Sequence, residues 1–179
     1  VPGIREHADR TLAEQMLGLD LALKEAGGKT VLDLGCAEGL IGREFARAGA
    51  IDVLGIDSLD THLDVARQAC ADCPQMRFLR ANLNHYIPAQ EKIELFAIVL
   101  ALGIMHKLND PDAGLRFAAR SCVDLLLYRP PAYAADGIVK SKRFTKYCHA
   151  PTVLREEGLH EERRIDGARG EHVEYWRRT

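Results

Sequence analysis

Apolar residues in this chain fall into short continuous runs separated by stretches with a helical period, the pattern of an α/β fold. The runs begin near Thr30, Ile51, Met76, Leu95 and Val123 and read as strands. The first and fourth are apolar enough for a parallel strand covered on both faces. Between them the period changes: from Leu40, residues Leu40, Ile41, Phe45 and Ala48 fall on one helical face. At the start of the chain, Ala8, Leu12, Met16, Leu19 and Leu23 draw an apolar stripe along a helix over residues 4–26, stopped by Gly27-Gly28. Residues 144–157 read as a further helix interrupted by Pro151. The end alternates instead: residues 158–166 and 171–178 predict two strands joined by Gly-Ala-Arg-Gly, with strand starts near Leu159 and His172.

The first strand runs into a sharp corner, Thr30-Val-Leu-Asp-Leu-Gly-Cys-Ala-Glu-Gly39. Gly35 and Gly39 give the main chain freedom to turn and to approach a bound molecule closely. A strand–turn–helix corner of this kind presents free backbone N–H groups at the carboxyl ends of a sheet, where open α/β folds bind ligands. A nucleoside-containing cofactor is therefore expected here. A dinucleotide fingerprint counted from Gly35 needs glycine at positions 37 and 40, where the chain has Ala37 and Leu40. Asp33 and Glu38 make the turn acidic, which repels a pyrophosphate and suits a cationic ligand.

The run from Asp33 to Gly39 resembles motif I of the class I S-adenosylmethionine-dependent methyltransferases. Their cofactor carries an ammonium and a sulfonium and no phosphate, so the charges agree; the family's middle glycine is Ala37 here. Asp57 ends the second apolar run roughly 20 residues after the glycine turn, where a ribose-binding carboxylate belongs, and a carboxylate accepts both hydroxyls of a vicinal diol. Asp57 also suits a helix N-cap beside Ser58. Where Asn82 stands, the family commonly has an Asp that accepts from the adenine amine, a task open to the Asn82 carbonyl; an ordinary Asn-rich turn is the alternative. The fourth strand leaves through Gly103-Ile-Met-His-Lys-Leu108, which matches the loop beside the transferable methyl group in that family. It lacks the (N/D)-P-P-(Y/F) motif of enzymes that methylate exocyclic amines or glutamine. Arg129-Pro-Pro-Ala-Tyr133 comes one strand later and reads as a loop stiffened by prolines.

The resemblance covers most of the chain. It implies a doubly wound, mostly parallel seven-stranded sheet with helices on both faces and a C-terminal antiparallel hairpin. It implies one domain over residues 1–179, with residues 1–28 as a helix capping the site and 29–179 as the core. The cofactor would be S-adenosylmethionine, held by Asp33, Gly35, Cys36, Ala37, Glu38, Gly39, Asp57, Ser58, Asn82, Leu83 and Leu102.

Composition narrows this further. The 179 residues, 47% of them hydrophobic, suffice for one α/β core. No apolar run is long enough to span a bilayer and no signal peptide is read, and five dispersed cysteines suit free thiols in a reducing cytoplasm. A first residue of Val suggests a natural start further upstream. Cys70 and Cys73 form a lone C-x-x-C without a second pair, so no metal site is expected. From Lys140 onward, Arg and Lys are interleaved with Glu and Asp, the pattern of a solvated face; residues 140–146 leave contact with RNA open.

An in-line methyl transfer to oxygen or an acidic carbon needs a proton removed, and His106, after the fourth strand, is the candidate base; packing or capping is its structural alternative. Tyr133 and His149 are weaker candidates, and Tyr86 is placed near the adenine. Three functions follow: a methyltransferase of a small molecule, a methyltransferase of RNA or protein, or a cofactor-binding module without catalysis.

Overall fold

The computed structural model describes residues 11–90, 92–130, 150–167 and 171–179. Seven strands form one sheet in the order β3-β2-β1-β4-β5-β7-β6. They are β1 (Thr30–Leu34), β2 (Asp52–Asp57), β3 (Met76–Arg80), β4 (Phe96–Leu102), β5 (Cys122–Arg129), β6 (Leu159–Asp166) and β7 (His172–Arg178). All seven start within a residue of where the apolar pattern placed them. The chain divides into two compact units, Val1–Asn82 and Leu83–Thr179.

In the first unit, β1 pairs in parallel with β2, and β2 with β3. The crossovers are α3 (Leu40–Arg47) and α4 (Asp60–Ala69). The buried face of α3 is Gly42, Phe45 and Ala46, while Leu40 and Ile41 are half-buried and Ala48 is exposed, so the expected stripe is rotated. The cause is close approach: a Cβ on Gly42 would stand 3.2 Å from both Met76 Cε and Val53 Cγ1, and glycine lets α3 sit that low on the sheet. The expected single helix over residues 4–26 is also corrected. Residues 4–10 lie outside the described residues, and the rest forms α1 (Leu12–Met16) and α2 (Asp20–Lys24). Thr11 and Glu14 close a capping box on α1. The chain then leaves helical geometry at Leu17 (ψ 126°) and Gly18 (φ 79°), and fully buries Leu19, Ala22 and Ala26.

In the second unit, α5 (Leu83–Tyr86) precedes β4, and α6 (Pro111–Ser121) carries the chain to β5, which lies parallel to β4. β7 is antiparallel to both β5 and β6, as the closing hairpin requires. Before β6 lies α7 (Ala150–Glu156). α7 contains Pro151 and is the described part of the helix expected over residues 144–157; residues 144–149 lie outside the described residues. Trp176 is fully buried under the Arg155 guanidinium, 5.8 Å from the ring centroid. Arg178 donates to the carbonyls of Ala119, Cys122 and Glu157, pinning the hairpin to the ends of α6 and α7.

Among the described residues no helix is long and apolar enough to cross a membrane. Cys36, Cys70, Cys73 and Cys122 are buried free thiols, and no group of side chains there is arranged to hold a metal.

Candidate functional site

The corner after β1 needs three left-handed residues, Gly35 (φ 75°), Ala37 (φ 47°) and Gly39 (φ 70°). Two are glycines; Ala37 adopts a conformation that its Cβ disfavours. The free N–H groups expected here are mostly not free. Gly35 and Cys36 donate to the Ile56 carbonyl at 2.8 and 3.0 Å, Gly39 donates to the Cys36 carbonyl at 2.8 Å, and Ala37 donates to Asp57 Oδ2 at 3.1 Å. β2 runs past the end of β1 and takes up the amides of Gly35, Cys36 and Ala37. The corner is thus no anion cradle, which independently disfavours a pyrophosphate.

Asp57 is the hinge of this arrangement. Its Oδ2 receives Ala37, its Oδ1 receives the Leu59 amide at 3.0 Å, and His62 Nδ1 lies 3.4 Å from Oδ1. It steadies the entry to α4 without being its N-cap, a position that Leu59 takes, and it reaches back to the turn. A carboxylate has about four lone-pair positions, so two amides leave acceptor capacity for a diol. Beside it a cleft of about 440 Å³ is lined by Ser58, Leu59, Arg80, Ala81 and Asn82. Ala81 donates to the Asp57 carbonyl at 2.9 Å, and Arg80 pairs with Asp60 at 3.1 Å. Leu59 is half exposed and offers an apolar surface to a flat ring. Ser58 and Asn82 were expected at this cleft. Leu59, Arg80 and Ala81 were not, and the signal available for Leu59 was an apolar residue between Asp57-Ser58 and Asp60, at the start of a helix.

Asp33 is only 4% exposed. Burial, then the negative charge of Asp57, push its carboxyl up from 3.8 to about 7, while the Gly42 amide at the start of α3 pulls the other way. Its Oδ2 has no hydrogen-bond partner. Burial likewise pushes the Cys36 thiol up, with Asp33 and Asp57 adding to it, so Cys36 is a neutral packing group.

The expected residues divide between the two units. Asp33, Gly35, Cys36, Ala37, Glu38, Gly39, Asp57, Ser58 and Asn82 belong to the first, where the turn and the end of β2 bring most of them together. Leu83, Leu102 and His106 belong to the second. Leu83 is buried at the start of α5, and Leu102 is the half-buried last residue of β4. After Gly103 (φ 71°), whose amide donates to the Arg129 carbonyl, His106 lies half-buried in a single 3-10 turn, Met105–Lys107. Tyr86 packs edge-on against Phe117 with centroids 6.1 Å apart. Tyr133, His149 and the basic residues 140–146 lie outside the described residues. The C-terminal charges are not simply a solvated face: Glu174 is buried at 4% exposure.

The donor set suits a cationic nucleoside ligand. Two carboxylates flank the turn, one with an unpartnered buried oxygen, and the cleft offers a hydroxyl, an amide and apolar surface.

Comparisons with known proteins agree. A methyltransferase-domain family model matches residues 31–124. A ribosomal protein L11 methyltransferase of Aeromonas salmonicida is 35% identical over 104 residues, 58% of this chain and 32% of that protein. A ubiquinone biosynthesis O-methyltransferase of Aliivibrio fischeri is 30% identical over 108 residues, 58% of this chain and 45% of that protein. The chain thus spans a third to just under half the length of these relatives. The solved magnesium protoporphyrin IX methyltransferase of Synechocystis PCC 6803, with bound S-adenosylhomocysteine, superimposes with a TM-score of 0.71 at 18% identity, covering 89% of this chain and 78% of that one.

Proposed function

We propose that this chain, which belongs to the class I S-adenosylmethionine-dependent methyltransferases, transfers the methyl group of S-adenosylmethionine to a small-molecule acceptor. The observation that carries the cofactor half of this reading is the acidic turn, most of whose amides are already occupied, a site for a cation and a ribose rather than a phosphate. The cofactor supplies an electrophilic methyl on a positively charged sulfur. The protein has to hold it, align a nucleophile in line and exclude water.

In this reading the lone pairs left on Asp57 accept the ribose hydroxyls. Ser58 and Asn82 meet the adenosine from the cleft, with the Asn82 carbonyl accepting from the exocyclic amine. Gly35, Cys36, Ala37, Glu38 and Gly39 pass the backbone close to the methionine end, Asp33 adds negative charge below them, and Leu83 and Leu102 contribute apolar contact. His106 removes the acceptor proton. Residues 29–179 form the methyltransferase core, and the buried free thiols suit a reducing cytoplasm.

The acceptor is a small molecule in this reading because the ubiquinone biosynthesis O-methyltransferases recur among the relatives. The ribosomal protein L11 methyltransferases support a second reading, with a protein acceptor. Labelled S-adenosylmethionine offered with fractions of cell extract decides between them. Label that survives protease and ribonuclease supports the small molecule, label lost to protease the second reading, and the absence of transfer by protein that binds the cofactor a non-catalytic module. His106→Gln is expected to lower turnover by about 10²–10⁴-fold with cofactor affinity unchanged; loss of cofactor binding instead makes His106 structural.

A further inference from the structure

We propose that Asp33 is a proton-linked selector of cofactor over product: it holds a proton while the site is empty or contains the neutral thioether, and releases it to solvent when the sulfonium cofactor binds. This rests on the S-adenosylmethionine reading above and adds how the same site tells a cation from its uncharged product.

The argument starts from what surrounds the carboxyl. β2 presents the Asp57 carboxylate, which accepts from the Ala37 and Leu59 amides. The turn presents Cys36, a thiol whose own ionisation Asp33 and Asp57 oppose. α3 presents the Gly42 amide, and around that glycine stand Val53 of β2 and Met76 of β3, both apolar. No cationic side chain pairs with Asp33 among the described residues, and its Oδ2 lacks a hydrogen-bond partner. An ionised Asp33 is therefore a buried negative charge beside the half-buried Asp57 carboxylate, and there are two ways to relieve it. Either a proton occupies it or a positive ligand arrives.

Each exchange balances. When the cofactor binds, the Asp33 O–H bond breaks, the proton passes to buffer and the carboxylate faces one added positive charge. When the methyl leaves, the sulfur keeps the electron pair of the broken S–C bond and becomes neutral, and Asp33 regains a proton from solvent. The product thus loses the charge that favoured its retention. With the empty-site carboxyl titrating at about 7, the affinity for S-adenosylmethionine should fall about tenfold between roughly pH 8 and pH 6, and that for S-adenosylhomocysteine distinctly less.

Isothermal titration calorimetry on the whole chain with both ligands tests this, at several pH values and in buffers of different ionisation enthalpy. Asp33→Asn, which resembles the protonated carboxyl in shape, should bind both ligands with the Asp33-dependent pH slope and proton release removed. A wild-type slope and proton count that persist in D33N overturn the proposal. Infrared difference spectra of wild-type protein give an answer that does not depend on the variant folding. A protonated-carboxyl band should vanish on adding S-adenosylmethionine and persist with S-adenosylhomocysteine, and a band unchanged by either ligand overturns the proposal. Failure of wild-type protein to bind either ligand overturns the cofactor reading itself, an outcome distinct from binding without proton release.

Discussion

Asp33 and Glu174 are equally hidden, each 4% exposed, yet their surroundings are opposite. Glu174 lies on β7 with all its needs met: Oε1 takes the Arg164 guanidinium at 3.2 Å and His172 Nε2 at 2.9 Å, and Oε2 takes the Trp176 indole N–H at 2.9 Å. Strand geometry explains it. His172, Glu174 and Trp176 alternate onto one face of β7, and Arg164 stands directly across on β6. Asp33, at the end of β1, has an amide nearby, another carboxylate, and an oxygen with no partner. One buried acid is saturated by its own chain and serves the fold. The other is left incomplete where a ligand is expected, and incompleteness of that kind is what a binding site requires.

The largest effect that tests this contrast comes from Glu174. Glu174→Ala removes the shared acceptor and leaves a guanidinium, an imidazole and a buried indole N–H without it. Breaking a buried pair from one side costs about 3–5 kcal/mol, so equilibrium denaturation should show a loss of that order. Because no residue of the cluster is among those proposed to hold the cofactor, binding of S-adenosylhomocysteine to the folded fraction should change little. A stability change below about 1 kcal/mol would show that the cluster does not hold the hairpin.

Asp33 should behave in the reverse sense. Its carboxyl is pushed up from 3.8 to about 7 in the folded chain, so the folded state holds its proton more firmly than the unfolded state does. The resulting stabilisation is fully present below about pH 4 and is lost as pH rises through about 7. Over that window the linkage amounts to roughly 4 kcal/mol as an order of magnitude. Asp33→Asn should flatten this part of the stability profile and make the variant relatively more stable than the wild type above pH 7. Parallel profiles for the two proteins would show that the carboxyl is ionised in the folded chain, and that its apparent isolation is false.

What was legible in the sequence follows the same division. The strands could be read because a parallel strand is an unbroken apolar run, and the acids and glycines of the turn could be read because their types announce a bend and a charge. The break at Gly18 was hidden because that glycine sits inside an apolar stripe that continues with helical spacing on both sides. The true face of α3 was hidden because Gly42 contributes no hydrophobic signal yet permits the closest approach to the sheet. The occupied amides of Gly35 and Cys36 were beyond reach because their acceptor, the Ile56 carbonyl, lies on the next strand and any residue there would supply it. The Glu174 cluster was invisible for another reason. Arg164, His172 and Glu174 look like ordinary polar positions of an alternating strand, and it is the register of β6 on β7 and the neighbouring Trp176 under Arg155 that remove Glu174 from water.

The smallest expected effect belongs to Ala37, where the turn departs from the glycine pattern. Ala37 sits at φ 47° and donates to Asp57 Oδ2, so its backbone position is fixed by the bond that links the turn to β2. A Cβ in the left-handed region costs roughly 1–2 kcal/mol, and glycine removes that penalty. Glycine also gives the unfolded chain more freedom, which offsets about 0.5–1 kcal/mol of the gain. Ala37→Gly should therefore stabilise the fold by about 0.5–1 kcal/mol, a shift within reach of careful thermal denaturation. It should leave the Asp33-dependent proton release unchanged, since neither the charge of Asp57 nor the burial of Asp33 is altered. A destabilised A37G would mean that the Asp57 bond does not hold the turn in this conformation, and that the alanine methyl makes contacts outweighing the strain.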